Sequence, residues 1–151
     1  MELANRHPRV NILQPGPGVG GHCIAVDPWF LVASAPELTP LIQAARRVND
    51  QKPDTVVEQI ISHAIEIEAK TISFLGLTYK ADIDDLRESP AVKIVKETAD
   101  KFSGNILVCE PNIKDLPPIL KSQRTVELSE IHNCLKAVSY THLTLPTILL
   151  V

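Results

Sequence analysis

The segment TISFLGLTYKADIDDLRESPAVKIVKETADKFSGNILVC, residues 71–109, carries the clearest secondary-structure pattern of the chain. Thr71–Leu77 is a short apolar run with β-branched and aromatic members, which predicts a buried strand. Ser89 and Pro90 then favour a helix start, with Ser89 as the N-cap and Pro90 at the first helical position. Ile106–Cys109 predicts a second buried strand. A strand, a helix and a strand in this order form a βαβ unit, which implies parallel strands and a right-handed crossover.

Helical spacing dominates on both sides of the first strand. After Pro90, the predicted buried face consists of Ala91, Ile94, Val95 and Thr98. Between residues 37 and 70, apolar residues recur at intervals of three and four, which predicts a mainly helical region: Leu41, Ile42, Ala45, Val48, Val56, Val57, Ile60, Ile61, Ala64 and Ile65. Pro53 interrupts this pattern, so the region is either one kinked helix or two helices that meet near Gln51. The expected fold class is α/β, with a helical region followed by the start of a parallel sheet domain.

Composition excludes several classes of protein. Of 151 residues, 44% are hydrophobic and 22% are charged, which is enough apolar material for a folded core. The 15 basic and 18 acidic residues leave a net charge of −3, which argues against a nucleic-acid partner. No apolar run approaches the ~20 residues that a membrane helix needs. The three cysteines form no CxxC pair, so we expect no disulfide framework and a reducing, cytoplasmic compartment.

Four of the six glycines lie between Gly16 and Gly21. They are a poor match to a dinucleotide-binding loop, because no strand precedes them and no amphipathic helix follows directly. Alternatively, they let the backbone approach another segment closely and present Cys23, whose thiolate the neighbouring amides would favour. A third interpretation makes Cys23 a small buried hydrophobe, the usual fate of a free cysteine. The local sequence leaves these interpretations open.

Polar and aromatic residues follow Cys23 closely. Asp27 could orient a water or a proton carrier near the sulfur, or it could form a turn before Pro28. Trp29 and Phe30 are predicted to pack and to anchor this loop to the helix behind it. A metal site is not predicted, because the remaining ligand types lack zinc-finger spacing; they are His22, Cys109, His132 and Cys134.

The loop after the first predicted strand is rich in charge. Lys80 and Arg87 flank an acidic group made of Asp82, Asp84, Asp85 and Glu88. The loop leaves the carboxyl end of a parallel strand, where open α/β sheets bind ligands, and Arg87 precedes a helix N-terminus, which favours anions. The alternative is a solvated loop whose charges pair among themselves.

Three motifs together resemble one family: PGPGVGGHCIAVDPWF at 15–30, ARRVND at 45–50 and GLTYKADIDDLRESPA at 76–91. From about Leu3 to Ala137, the chain resembles the UDP-glucose/GDP-mannose dehydrogenase family. The sequence after the glycines, HCIAVDPWF at 22–30, resembles that of the branch that oxidises UDP-N-acetylmannosamine. In the UDP-glucose branch a lysine commonly lies three residues after the cysteine, where this chain has Val26.

The resemblance implies a division of the chain into parts of a larger enzyme. Residues 1–36 would end the NAD-domain region and carry the cysteine loop, and residues 37–70 would form a central helical dimerisation domain. Residues 71–137 would begin a Rossmann-like domain that binds UDP. The implied substrate is a UDP-sugar, the implied cofactor is NAD, with two consumed per sugar, and the implied assembly is a homodimer.

The resemblance also implies roles for individual residues. Cys23 would be the nucleophile that forms a thiohemiacetal and then a thioester, and Asp27 would help to organise water and proton movement. Three residues would contact the substrate, Arg9 in a neighbouring subunit's site: His7, Arg9 and Gly20. Tyr79 and Lys80 would grip the uridine diphosphate, and Arg87 would lie near the NAD phosphates.

Departures from the family pattern set further expectations. The family's NAD loop and catalytic lysine would lie upstream of Met1, so we expect an inactive fragment. The last 14 residues, VSYTHLTLPTILLV at 138–151, carry no charge and do not resemble the family. They are interpreted as foreign sequence, with a hydrophobic strand as the alternative. Two other functions remain open: another UDP-sugar as substrate, or a non-catalytic dimerisation or UDP-binding module.

Overall fold

A computed structural model of the chain describes residues 3–9 and 16–137. Its sheet has three parallel strands in the order β1 (Thr71–Leu75), β2 (Asn105–Cys109) and β3 (Val126–Leu128). Thr71 pairs with Asn105 in β2, and Ile106 pairs with Val126 in β3. The predicted βαβ unit is confirmed. Strand β3 was not predicted, because three residues that include Glu127 make no apolar run.

Helices occupy much of the rest of the described chain: α1 (Asp27–Ser34), α2 (Pro40–Glu66), α3 (Pro90–Lys101), α4 (Pro118–Lys121) and α5 (Ile131–Ala137). Short 3₁₀ turns occur at Ala4–Arg6 and Pro36–Leu38. None of these helices combines the length and the apolar character that a membrane crossing requires. The uncharged segment 138–151, with its two interpretations, lies outside the described residues.

Helix α2 is continuous over 27 residues and contains Pro53. Of the two alternatives that the sequence left open, one helix and two helices, the structure has one. Proline has no N–H, so Pro53 cannot donate the usual helical hydrogen bond to the carbonyl of Asn49. One turn of α2 near this point is tied to α3 instead. Lys93 Nζ donates to the Asp50 carbonyl at 3.3 Å and to Asp54 Oδ1 at 2.5 Å.

The core joins the sheet, α3 and the second half of α2. Its buried members come from α2, β1 and its exit, α3, β2 and α4: Val56, Val57, Ile60, Phe74, Leu77, Ile94, Val95, Ile106, Val108 and Leu120. The predicted buried face of α3 is confirmed. On the opposite face of the sheet, Ser73 Oγ donates to the Cys134 carbonyl of α5 at 3.0 Å. Helices therefore cover both faces, as a parallel sheet requires.

Two details of the sequence interpretation need correction. Ser89 does lie at the N-cap of α3, but its hydroxyl makes no capping bond and donates to the Leu77 carbonyl at 2.5 Å. The predicted packing of Trp29 and Phe30 is only partial, because they are 40% and 67% exposed and no residue of α1 is buried.

Candidate active site

The glycine segment packs directly on the charged loop that follows β1. Gly21 N donates to the Arg87 carbonyl at 3.1 Å. A Cβ at Gly20 would lie 2.6 Å from both the Glu88 carbonyl oxygen and Tyr79 Cβ, which is too close for any side chain. At Gly21, φ is +91° and a Cβ would meet the Tyr79 ring at 3.0 Å. The glycines thus serve a close backbone approach, as the second interpretation of the segment requires.

The other side of the glycine segment rests on α2 and on the start of α3. Val19 N donates to Asn49 Oδ1 at 2.9 Å, next to the helical turn that Pro53 disturbs. A Cβ at Gly18 would lie 3.0 Å from Pro90 Cγ. The segment is therefore held between α2 and the beginning of α3.

Cys23 follows this platform and is exposed, whereas Cys109 and Cys134 are buried. The interpretation of Cys23 as a small buried hydrophobe is therefore wrong. Its carbonyl accepts hydrogen bonds from Val26 N at 3.0 Å and from Asp27 N at 2.8 Å, in the turn that begins α1. Asp27 is the first residue of α1, where the helix dipole favours an acidic side chain. A backbone hydrogen bond thus joins Cys23 to Asp27 across this turn.

Arg87 and Asp85 form a two-pronged ion pair at the mouth of the loop. Arg87 Nη2 lies 2.6 Å from Asp85 Oδ2, and Arg87 Nε lies 3.0 Å from both carboxylate oxygens. Hydrogen bonds from the Arg87 side chain and backbone lower the pKa of Asp85 to about 2, and His22 contributes a smaller part. The same pairing raises the pKa of Arg87, with further contributions from Tyr79 and Cys23.

The hydrogen bond from Gly21 N to the Arg87 carbonyl joins the glycine segment that precedes Cys23 to the loop of Arg87. Two motifs that lie more than 60 positions apart in the chain therefore meet in one site. The Arg87–Asp85 ion pair also fits the alternative interpretation, in which the charges of a solvated loop pair among themselves. Pairing leaves the guanidinium on the surface, since about two thirds of the Arg87 side chain is exposed (65%).

Tyr79 and Lys80 project from a loop whose backbone is tightly bonded. Tyr79 is half-buried against the glycines, while Lys80 is exposed and its carbonyl accepts from Thr78 Oγ1 at 2.9 Å. Sequence reasoning missed Glu110, which holds this loop. It is 6% exposed and accepts from Leu77 N at 2.9 Å and from Thr78 N at 3.2 Å. The available signal was an acidic residue directly after an apolar strand, at the sheet edge where the loop begins.

The pKa of Glu110 reflects two opposing effects. Burial raises it, but backbone hydrogen bonds from Leu77, Asn112 and Thr78 outweigh burial and hold the pKa below its ordinary value. A carboxylate that accepts several N–H bonds is stabilised in its charged form. Glu110 is therefore a charged acceptor inside the fold.

His7 and Arg9 are joined to each other by a hydrogen bond. Arg9 N donates to His7 Nδ1 at 3.2 Å, and within the described residues neither side chain bonds to the cysteine loop or to the loop after β1. Their role in substrate contact stays a prediction. Within residues 3–9 and 16–137, no group of three or more His, Cys, Asp or Glu side chains could hold a metal ion.

Comparison with family models gives two matches along the chain. Residues 1–51 match the central domain of the UDP-glucose/GDP-mannose dehydrogenase family, and residues 73–145 match its UDP binding domain. The chain is 56% identical over 128 residues to the UDP-N-acetyl-D-mannosamine dehydrogenase of Campylobacter jejuni, covering 85% of this chain and 31% of the relative. It is also 56% identical over 121 residues to the NDP-N-acetyl-D-galactosaminuronic acid dehydrogenase of Ralstonia solanacearum, covering 80% and 29%.

Solved structures agree with these matches. The UDP-N-acetyl-mannosamine dehydrogenase from S. aureus is 42% identical with a TM-score of 0.60, covering 83% of this chain and 28% of that one. GDP-mannose dehydrogenase from Pseudomonas aeruginosa, at 21% identity and a TM-score of 0.69, shares the fold, covering 91% and 34%. The chain spans about 30% of the length of the curated relatives it matches. With both matched domains in family order, the chain belongs to the UDP-glucose/GDP-mannose dehydrogenase family.

Proposed function

We propose that this chain is part of an NAD-dependent dehydrogenase that oxidises UDP-N-acetyl-D-mannosamine to UDP-N-acetyl-D-mannosaminuronate. The observation that carries the proposal is the contact between the Cys23 loop and the loop of Tyr79 and Arg87. It joins an exposed thiol to a surface suited to a nucleoside diphosphate. The names of the C. jejuni and S. aureus relatives support the choice of sugar.

The proposed chemistry uses Cys23 as a covalent carrier. After the sugar's primary alcohol has become an aldehyde, Cys23 Sγ bonds to the aldehyde carbon and the carbonyl oxygen takes up a proton. A second oxidation turns this thiohemiacetal into a thioester, and water then cleaves the C–S bond to release the carboxylate and the thiol. Asp27, next to Cys23 at the start of α1, would organise that water and its proton.

Different residues would hold the cofactor and the nucleotide. When bound, NAD accepts a hydride in each of the two oxidations. Among the described residues, the exposed guanidinium of Arg87 fits a phosphate of NAD, whereas the glycine segment is already occupied by protein contacts. Tyr79 and Lys80 would bind the uridine diphosphate, and Gly20 would lie against the sugar. His7 and Arg9 would reach the substrate site, with Arg9 crossing to a neighbouring subunit.

A related sugar is the second candidate substrate. The R. solanacearum relative bears a galactosaminuronate name at the same 56% identity as the C. jejuni relative, so identity alone does not separate the two sugars. Binding of the two UDP-sugars to this chain, compared by titration, distinguishes them. A preference for UDP-N-acetylgalactosamine would replace the leading substrate.

We further propose that residues 37–70 form a central dimerisation domain, before a UDP-binding domain at 71–137 and after the cysteine region at 1–36. The support is a group of exposed apolar side chains on α1, on the 3₁₀ turn Pro36–Leu38 and on the first half of α2, which we call the open apolar face: Phe30, Leu31, Leu38, Leu41 and Val48. Helix α1 contacts both the 3₁₀ turn and α2, and a large exposed apolar patch marks an interaction site. Sedimentation of Leu41→Glu against Glu58→Gln, a change on the same helix outside this face, tests it. We expect Leu41→Glu alone to give a monomer, and a wild-type monomer would contradict the proposal.

Titration of the chain with UDP tests the nucleotide site. We expect UDP to bind the wild-type chain, and Lys80→Ala to weaken binding about tenfold because a charge-assisted phosphate contact is lost. Lys101→Ala, an exposed lysine at the end of α3, is the matched control and should bind as wild type does. Equal binding by Lys80→Ala and wild type would refute the assignment.

Turnover and thiol chemistry test the rest. Given NAD and the UDP-sugar, we expect no NADH from this chain alone, because its described residues hold no phosphate loop for the cofactor. Given the sugar aldehyde labelled with ¹³C at the reacting carbon, we expect a thiohemiacetal signal that Cys23→Ala abolishes. An unchanged signal in Cys23→Ala would contradict the assigned nucleophile. Because the Cys23 thiol must stay reduced to act as a nucleophile, the proposed compartment is the cytoplasm.

A further inference from the structure

Glu110 lies at the carboxyl end of β2, beneath the loop that leaves β1. Its Oε2 accepts from Leu77 N at 2.9 Å and from Thr78 N at 3.2 Å, and lies 3.3 Å from Thr78 Oγ1. Its Oε1 accepts from Asn112 N at 3.1 Å and from Asn112 Nδ2 at 3.2 Å. Four N–H groups thus converge on one side chain that is 6% exposed.

The chemistry of these donors requires a carboxylate. Both oxygens of an ionised Glu accept hydrogen bonds and neither donates, so all four N–H groups are satisfied. In Glu110→Gln, one of the two oxygens becomes an NH₂ group, which would face either Leu77 and Thr78 or Asn112. A buried donor that faces another donor loses its hydrogen bond, and this costs more than the bond alone contributes.

Thr78 transmits this clamp to the next two residues. Its backbone N–H is held by Glu110, and its hydroxyl reaches the Lys80 carbonyl at 2.9 Å. On the other side, Ser89 Oγ holds the Leu77 carbonyl. The conformation of Tyr79 and Lys80 is therefore set from below by a residue that lies about 30 positions later in the chain (31 to Tyr79, 30 to Lys80).

We propose that Glu110 is a positioning residue that fixes the backbone of Leu77 and Thr78 and thereby presents Tyr79 and Lys80 to uridine diphosphate. The inference rests on the proposed nucleotide site and adds to it a residue that does not touch the nucleotide. Glu110 acts through the loop backbone, so its loss should weaken UDP binding while the sheet stays folded.

Titration of the 151-residue chain with UDP is the first test. We expect Glu110→Gln to weaken UDP binding about tenfold, since hydrogen bonds to a charged group are lost. Glu127→Gln, an exposed carboxylate on the neighbouring strand β3, is the matched control and should bind as wild type does. Thr78→Val keeps the N–H and removes the link to Lys80, so it should weaken binding severalfold. If Glu110 acts on Lys80 through Thr78, the double variant Glu110→Gln, Thr78→Val should bind UDP no more weakly than Glu110→Gln alone. Wild-type affinity in Glu110→Gln would overturn the proposal.

Amide hydrogen exchange tests the clamp without UDP. In Glu110→Gln we expect the Leu77 and Thr78 amides to exchange at least about tenfold faster relative to Val108 in β2, whose exchange reports the sheet. An unchanged ratio would overturn the proposal. If wild type binds no UDP, the proposed nucleotide site fails, and the exchange ratio alone decides the clamp. If Glu110→Gln does not fold, Thr78→Val decides: wild-type affinity in that variant overturns the proposal.

Discussion

The two halves of helix α2 carry apolar side chains at the same spacing but differ in burial. Before Pro53, Leu41 is 80% exposed and Val48 is 71% exposed. After Pro53, Val57 is fully buried against the α/β core. One continuous helix therefore leaves a core at one end and presents an apolar face to solvent at the other. The periodicity of a helix indicates that one face is apolar, but it does not identify what covers that face.

The glycine segment lies at the boundary between these halves. It touches α2 at Asn49 and the α/β region at Tyr79 and Pro90. The cysteine loop is thus attached to the better-packed half of the molecule through backbone contacts, although it precedes the less-packed half in the chain. Four predictions test this contrast, in order of expected size.

Val57→Ala and Val48→Ala compare the two halves of α2 directly. We expect Val57→Ala to lower the free energy of unfolding by about 2 kcal/mol, because it removes buried methyl groups and leaves a cavity. Val48→Ala should change it by less than about 0.5 kcal/mol at low protein concentration. Urea unfolding over a range of concentrations measures both. If both variants lose the same free energy of unfolding at every protein concentration, the two halves of α2 do not differ as described. If Val48→Ala loses stability only at high protein concentration, the result supports the proposed dimer.

Gly20→Ala tests the contact between the cysteine loop and the α/β region. The new Cβ would lie 2.6 Å from the Glu88 carbonyl oxygen and from Tyr79 Cβ, neither of which is the end of a flexible side chain. The cysteine loop must therefore move, which should lower the free energy of unfolding by about 1–2 kcal/mol. We also expect the rate of Cys23 alkylation to change when the loop moves, since Cys23 lies three residues after Gly20. The contact is refuted if neither the unfolding free energy nor the alkylation rate changes.

Asn49→Ala tests the contact with α2. It removes the acceptor of the Val19 N–H, so we expect a loss of about 1 kcal/mol, measured by urea unfolding. Asn49→Asp retains an acceptor oxygen and should recover most of the loss. If both variants unfold alike, the side-chain bond does not hold the segment.

Acid pH tests the charged state of Glu110. Its pKa is lowered in the fold, so its contribution to stability is present above its usual value of 4.5 and is lost as the pH falls through the folded pKa. The stability gap between wild type and Glu110→Gln should therefore narrow below about pH 4.5. Thermal unfolding across the acid range measures this gap. A gap that stays constant would show that Glu110 is not a charged acceptor.

Much of the fold followed from local pattern. The βαβ unit and the buried face of α3 were predicted, because short apolar runs and helical spacing are local properties. Strand β3 was missed because pairing with β2, and not its own composition, makes Val126–Leu128 a strand. The sequence also overestimated the packing of Trp29 and Phe30, which are 40% and 67% exposed, since an aromatic residue does not encode its own packing partner.

The site was predicted in its parts but not in its assembly. Cys23, Tyr79 and Arg87 were each identified from motifs, and their proximity required the fold. Glu110 carries no motif of its own, and only the meeting of two strand ends turns it into a clamp. Such a role depends on contacts between distant segments, which a single sequence does not display.

By itself, then, the sequence determined the family motifs, the parallel βαβ unit and the candidate thiol, because each rests on residue types at fixed local spacing. Only the tertiary structure decided which half of α2 is buried, that Cys23 is exposed, and what the glycines approach. The physical reason is that burial and close contact are properties of pairs of segments. Gly20 requires the absence of a side chain only because Glu88 and Tyr79 lie against it.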